Sequence, residues 1–129
     1  KTGEFRYKIA LSNKRVNSNN IFLYHKTTNR ELYDGEYRKF AALGFYDVLF
    51  RNESDEITES SFNNIVVKIN GKLFTPPIDA GLLNGVQRRY LIASGKLIEK
   101  RLLLQDLLAA DEIFLINSVR GLTPVKLSI

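Results

Sequence analysis

The chain opens on a period of two. Phe5, Tyr7, Ile9 and Leu11 alternate with Arg6, Lys8 and Ala10, the pattern of a strand half-buried against a core. Residues 12–20 are polar and read as a connection, and residues 21–24 read as a second strand. From Asn29 the period changes. Leu32, Tyr33, Tyr37, Phe40 and Leu43 recur at three and four, so a helix is expected over residues 29–43, weakened in its middle by Gly35 and ended by Gly44. The aromatic and β-branched run at 45–50, the turn-rich Asn52-Glu53-Ser54-Asp55 and the extended Ile57-Thr58-Glu59 predict a hairpin. Asn70-Gly71, set between apolar runs at 65–69 and 72–75, predicts a second one, because both central residues of a type I′ turn need positive φ.

Pro76-Pro77 opens an irregular loop that runs to Asn84-Gly85. Helical spacing follows over 86–94, with Gly95 placed as its stop. Residues 97–103 then read as a strand, 105–110 as a short helix, 113–116 as a buried strand and 125–129 as a last strand. No repeat, low-complexity stretch or internal linker interrupts the pattern. The expected class is α+β, mixed α and β: three helices dispersed among strands of a largely antiparallel or mixed sheet, since most connections are too short for parallel crossovers.

Composition narrows the chemistry. The 129 residues suit one domain, and 44% hydrophobic with 26% charged content is ordinary for a globular protein. No apolar run approaches the length of a membrane span, so no membrane partner is expected. With no cysteine and His25 as the one histidine, disulfides, thiol chemistry and cysteine zinc sites are excluded, and no metal is expected. There is no apolar N-terminal segment with a basic flank, so a cytoplasmic location is expected. The start at Lys1 and the lack of any methionine suggest a piece of a longer protein. A formal charge of +5 favours anionic ligands. Because the basic residues are spread along the chain, a small phosphate- or carboxylate-bearing molecule is expected and not nucleic acid.

Four polar segments are placed where chemistry is possible. His25-Lys26-Thr27-Thr28-Asn29-Arg30 follows an apolar strand directly, and a lysine at a strand end is positioned to act as a nucleophile or proton carrier, although most lysines are simply solvated. Glu59 falls with Ser60, Ser61, Asn63 and Asn64 between two strands. On local pattern it is a surface charge; buried, it would need a cationic partner. Gly85-Val86-Gln87-Arg88-Arg89 turns a loop into a helix, whose free first-turn amides suit phosphate, with Arg88-Arg89 reading locally as a solvated face. Asn117-Ser118-Val119-Arg120-Gly121 comes straight after the buried strand at 113–116, where Ser118 has a hydroxyl to offer.

In this order and at these separations the four segments resemble the class IV aminotransferases and their lyase relatives, the fold-type IV (D-amino acid aminotransferase-like) pyridoxal-phosphate enzymes, over nearly the whole chain. The resemblance implies that residues 1–129 are the C-terminal, cofactor-binding large domain of such an enzyme, a sheet-rich pseudo-barrel. It implies Lys26 as the catalytic Schiff-base lysine and Glu59, within Thr58-Glu59 and Asn64-Ile65, as the acid facing the pyridine nitrogen. Gly85, Val86 and Gln87 would open a helix at the phosphate, and Ser118, before Thr123-Pro124-Val125, would add a phosphate contact. Gln87 stands where many members carry a threonine whose hydroxyl reaches the phosphate, while the Val86 amide is unaffected by that change.

The His-Lys-Thr-Thr-x-Arg start and the Asn-Ser-x-Arg-Gly ending look most like the aminodeoxychorismate lyase domain fused behind aminodeoxychorismate (para-aminobenzoate) synthase component I. Such a lyase takes pyruvate from 4-amino-4-deoxychorismate and leaves 4-aminobenzoate for folate synthesis. The alternatives are a class IV transaminase of branched-chain or D-amino acids and a non-catalytic remnant of a synthase fusion. By the same resemblance the partners would be an anionic small-molecule substrate, the family's smaller N-terminal domain with its phosphate-binding arginine, a fused chorismate-binding synthase domain, and a second copy in a homodimer. The N-terminal domain has no counterpart in these 129 residues, so this chain alone is expected to be inactive.

Overall fold

The computed structural model describes residues 7–19, 30–117, 119 and 121–129. Eight strands and three helices are found there: β1 (Tyr7–Val16), α1 (Arg30–Ala41), β2 (Asp47–Asn52), β3 (Ile57–Ser60), β4 (Ile65–Ile69), β5 (Lys72–Thr75), α2 (Val86–Ala93), β6 (Ile98–Glu99), α3 (Leu104–Ala109), β7 (Glu112–Asn117) and β8 (Gly121–Leu127). A single 3-10 turn, Ile78–Ala80, interrupts the loop before α2. No helix among the described residues is long and apolar enough to cross a membrane. The strand expected at 21–24 lies outside the described residues.

The strands form one mixed sheet in the order β3-β2-β1-β8-β7-β4-β5-β6. β1 runs parallel to both β2 and β8, and β5 to β6, while the remaining pairs are antiparallel. The parallel β1–β2 pair is possible because the connection between them is long enough to hold α1. The sheet curls into a half-barrel until β3 and β4, far apart in that order, touch at an isolated bridge between Glu59 and Asn64.

Alternation along each strand sorts side chains to the two faces. Leu49 of β2, Ile65 and Val67 of β4, and Ile113 and Leu115 of β7 join Ile9 and Val125 in the main core. Their neighbours point the other way. Val48 and Phe50 pack with Tyr33 beneath α1, and Val66 and Ile116 pack with Leu91 and Ile92 of α2. Helices α1 and α2 therefore lie on the back of the sheet, and each delivers one end to the same region.

Two segments differ from the sequence pattern. β1 continues to Val16 through the polar stretch taken for a connection, because the Ser12 hydroxyl, fully buried, donates to the equally enclosed Glu36 of α1 at 2.7 Å. The strand expected at 97–103 shrinks to Ile98–Glu99. Leu97 and Leu102 are buried, yet Ile98 is exposed on an edge pair, so the apolar run marks two anchoring points and not a continuous strand.

Candidate functional site

Two clefts, of about 580 and 670 Å³, adjoin along Asn64, Gly85 and Val86. The larger lies between the first turn of α1, the connection from β3 to β4, and the loop entering α2, with Glu59, Tyr33 and Arg30 in its wall. The smaller extends past Gln87 toward Ile116 of β7. Glu59, Gly85, Val86 and Gln87, from separate stretches of sequence, thus share one continuous depression. Lys26 and Ser118 lie outside the described residues.

Glu59 is 6% exposed. One carboxylate oxygen accepts the Tyr33 hydroxyl at 3.0 Å and the other the Leu83 backbone amide at 3.2 Å. It forms no ion pair with a described residue: the nearest guanidinium, that of Arg30, donates instead to Asp34 at 3.0 Å and to the Ser61 carbonyl at 2.8 Å. Burial pushes the Glu59 carboxyl up to about 7, against the lowering effect of the Leu83 amide, the Tyr33 hydroxyl and the Arg30 charge, with Asp47 adding to the rise. A carboxylate so enclosed, open to a cleft and with no cationic partner among the described residues, is chemically matched to a ligand that brings the cation.

At the other end, α2 begins without a side-chain cap on its first-turn amides. Those amides have no intrahelical partners, and with the helix dipole they favour an anion. Gly85 leaves room for Asn64: a Cβ on it would lie 2.6 Å from Asn64 Oδ1 and make that side chain shift, although its φ of −62° suits any residue. Val86 is 72% exposed and sits in the wall of both clefts.

The arginine pair beyond it divides. Arg89 is exposed at the rim of the larger cleft, as its sequence suggests. Arg88, expected on the same solvated face, is 1% exposed and ties the loop together, donating to Asn84 Oδ1 at 2.8 Å and the Pro76 carbonyl at 2.8 Å and pairing with Glu99. The acceptors lie at the two ends of the loop before α2 and on β6, and the Pro76 and Glu99 contacts, 12 and 11 residues away, are not readable from local pattern.

Asp47 is a further residue that the sequence did not single out. It is 2% exposed, and its oxygens accept the Ser61 amide at 3.1 Å, the Ser61 hydroxyl, and Asn63 Nδ2 at 3.2 Å. This fixes the turn that follows Glu59. The available signal was an acid directly ahead of the apolar Val48-Leu49-Phe50, a placement that is costly unless the charge is satisfied.

The sequence matches the family amino-transferase class IV over residues 2–127. The chain belongs to the class IV aminotransferase family. Among curated relatives, a D-alanine aminotransferase of Listeria monocytogenes is 37% identical over 60% of this chain and 28% of its own length. An aminodeoxychorismate lyase of Bacillus subtilis is 33% identical over 59% of this chain and 28% of its own. A crystal structure from Mesorhizobium loti, assigned as an amino-acid aminotransferase, superposes with a TM-score of 0.89 at 36% identity, covering 97% of this chain and 61% of that one. The chain thus has the domain fold of this family, whose enzymes use pyridoxal phosphate and include both lyases and aminotransferases. It spans between 28% and 61% of the length of the curated relatives it matches.

Proposed function

We propose that this chain is the cofactor-binding part of a pyridoxal-phosphate lyase that converts 4-amino-4-deoxychorismate to 4-aminobenzoate and pyruvate. The observation carrying the cofactor assignment is Glu59, a buried carboxylate with no cationic partner among the described residues and facing a cleft that also receives the uncapped start of α2. A protonated pyridine nitrogen is the partner it lacks. When bound, the cofactor's ring supplies an electron sink for the substrate.

The chain's own residues do the rest. Glu59, its carboxylate directed by the Tyr33 hydroxyl and the Leu83 amide, would hold the ring nitrogen and favour its protonated form. The Val86 and Gln87 amides would receive the phosphate, and Ser118 is the further hydroxyl contact that the family resemblance implies. Lys26 would be the covalent anchor of the cofactor, and its amine would carry the proton whose movement accompanies departure of the enolpyruvyl group. Arg30 and Arg89 in the wall of the larger cleft give it a positive lining for a substrate with carboxylate groups. A small N-terminal domain supplied from outside these residues completes the phosphate site and reads the substrate.

The lyase assignment is supported by the segments around Lys26 and Ser118 and by the Bacillus subtilis relative. A transaminase is the second reading, favoured by the higher identity to the Listeria monocytogenes enzyme. Product analysis separates them. Incubation of the complete protein with chorismate, glutamine and a glutamine amidotransferase yields 4-aminobenzoate and pyruvate together if it is a lyase. A keto acid formed from an amino-acid donor, with no aromatic product, assigns the transaminase.

A further inference from the structure

We propose that Asn64 is a positioning residue that couples Glu59, at one end of the site, to the glycine that opens α2 at the other, so that the two ends keep a fixed spacing. The inference rests on the reading of the cleft as a cofactor site and adds to it the residue that holds the site's geometry.

Asn64 is 8% exposed and sits where the curled sheet closes on itself. Its backbone lies opposite Glu59 in an antiparallel bridge whose neighbouring Ser60 amide donates to the Asn63 carbonyl at 2.9 Å, and its own carbonyl accepts the Ile116 amide of β7 at 2.9 Å. Its side chain reaches toward the loop entering α2. Nδ2 donates to the Leu83 carbonyl at 2.9 Å, and the Leu83 amide donates in turn to Glu59 Oε1 at 3.2 Å. Leu83 is therefore held from both sides, by Asn64 through its oxygen and by Glu59 through its nitrogen.

Two residues further on, Asn64 Oδ1 occupies the space that a Cβ on Gly85 would need, at 2.6 Å. A single primary amide thus orients the loop with its nitrogen and packs against the helix start with its oxygen. Between those contacts, Asn84 is secured from the far side by Arg88. Leucine at position 64 would leave the Leu83 carbonyl without its donor, and aspartate would add a charge beside Glu59 while losing the same donor.

The arrangement predicts that disturbing Asn64 is felt at Glu59. Among the described residues, the groups that act on that carboxylate are Tyr33 and Arg30 of α1 and Asp47 of β2, together with the Leu83 amide. None of the first three hydrogen-bonds to Asn64, so the Asn64 side chain acts on the carboxylate through the Leu83 amide.

The test is a carboxyl 13C NMR titration of the 129-residue chain without cofactor, with the Glu59 signal assigned from Glu59→Gln. Asn64→Ala should raise the Glu59 midpoint from about 7 by roughly one unit, because the Leu83 amide is no longer held in place. Gly85→Ala should raise it too, since the added Cβ displaces the Asn64 amide. The double variant should match Asn64→Ala alone, the Cβ now meeting open space. Unchanged midpoints in the single variants, or shifts that add in the double, would overturn the coupling. If Asn64→Ala does not fold, Gly85→Ala reads the same contact from the helix side. Because no cofactor is present, either result leaves the cofactor assignment standing; conversely, pyridoxal phosphate binding equally well to Glu59→Gln would sink that assignment without touching this one.

Discussion

The Tyr33 hydroxyl and the Glu59 carboxylate, 26 positions apart, meet in a 3.0 Å hydrogen bond with both residues more than nine-tenths buried. Burial drives each toward its protonated form: the phenol is raised well above its ordinary value, with the neighbouring Glu59 charge adding to the effect, and the carboxyl is raised to about 7. Phe50 stacks on the Tyr33 ring at 4.4 Å between centroids, so the hydroxyl is aimed by packing and not by chance. Ionising either member of this pair is therefore costly in the folded chain.

The cost gives a pH dependence with a definite sign. From its ordinary value of 4.5 to about 7 the folded chain holds the Glu59 proton more tightly than the unfolded chain. Stability is therefore fully present below about 4.5 and is lost as pH rises toward 7, by up to about 3 kcal/mol from this group. Urea denaturation at pH 8 should find Glu59→Gln more stable than the parent chain, with the gap closing near pH 5. A Gln variant less stable at both values would mean that the charge is compensated in the fold.

Asp47→Asn should destabilise the turn that follows Glu59. The amide nitrogen that replaces one acceptor oxygen faces either Ser61 or Asn63, both of which donate to Asp47 in the parent chain. Loss of a charged acceptor at a buried site costs about 2 kcal/mol. Chemical denaturation measures the total, and amide exchange at Ser61 should quicken more than at Val67 in the core.

Arg88→Lys should not rescue Arg88→Met. The guanidinium serves Asn84, the Pro76 carbonyl and Glu99 together, which a single ammonium point cannot reproduce. Both variants should lose about 2 to 3 kcal/mol, moderated because Glu99 is 44% exposed and regains water when its partner is removed. A lysine variant of parental stability would show that charge, not fork geometry, is what the loop needs.

Local chemistry was legible where it is self-contained. Asn70 and Gly71 adopt φ of 52° and 80°, as their turn demands, and Gly44 and Gly95 take φ of 94° and 78° just past α1 and α2. Glu59, Gly85, Val86 and Gln87 became candidates through the family resemblance, and the fold places them around two adjoining clefts. What stayed hidden depends on partners distant in sequence. Ser12 belongs to a strand because Glu36 answers its hydroxyl, Arg88 is buried because Pro76 and Glu99 meet it, and Asp47 matters through Ser61 and Asn63. Hydrophobic periodicity cannot register such polar pairs, since each member alone looks like surface.

The central claim is that this cleft holds pyridoxal phosphate with Lys26 as its covalent anchor. Borohydride reduction of the complete protein loaded with pyridoxal phosphate, followed by peptide mapping, tests it most directly. The account predicts a pyridoxyl group on Lys26. An adduct confined to another lysine, or no adduct in protein shown to be folded, would contradict it.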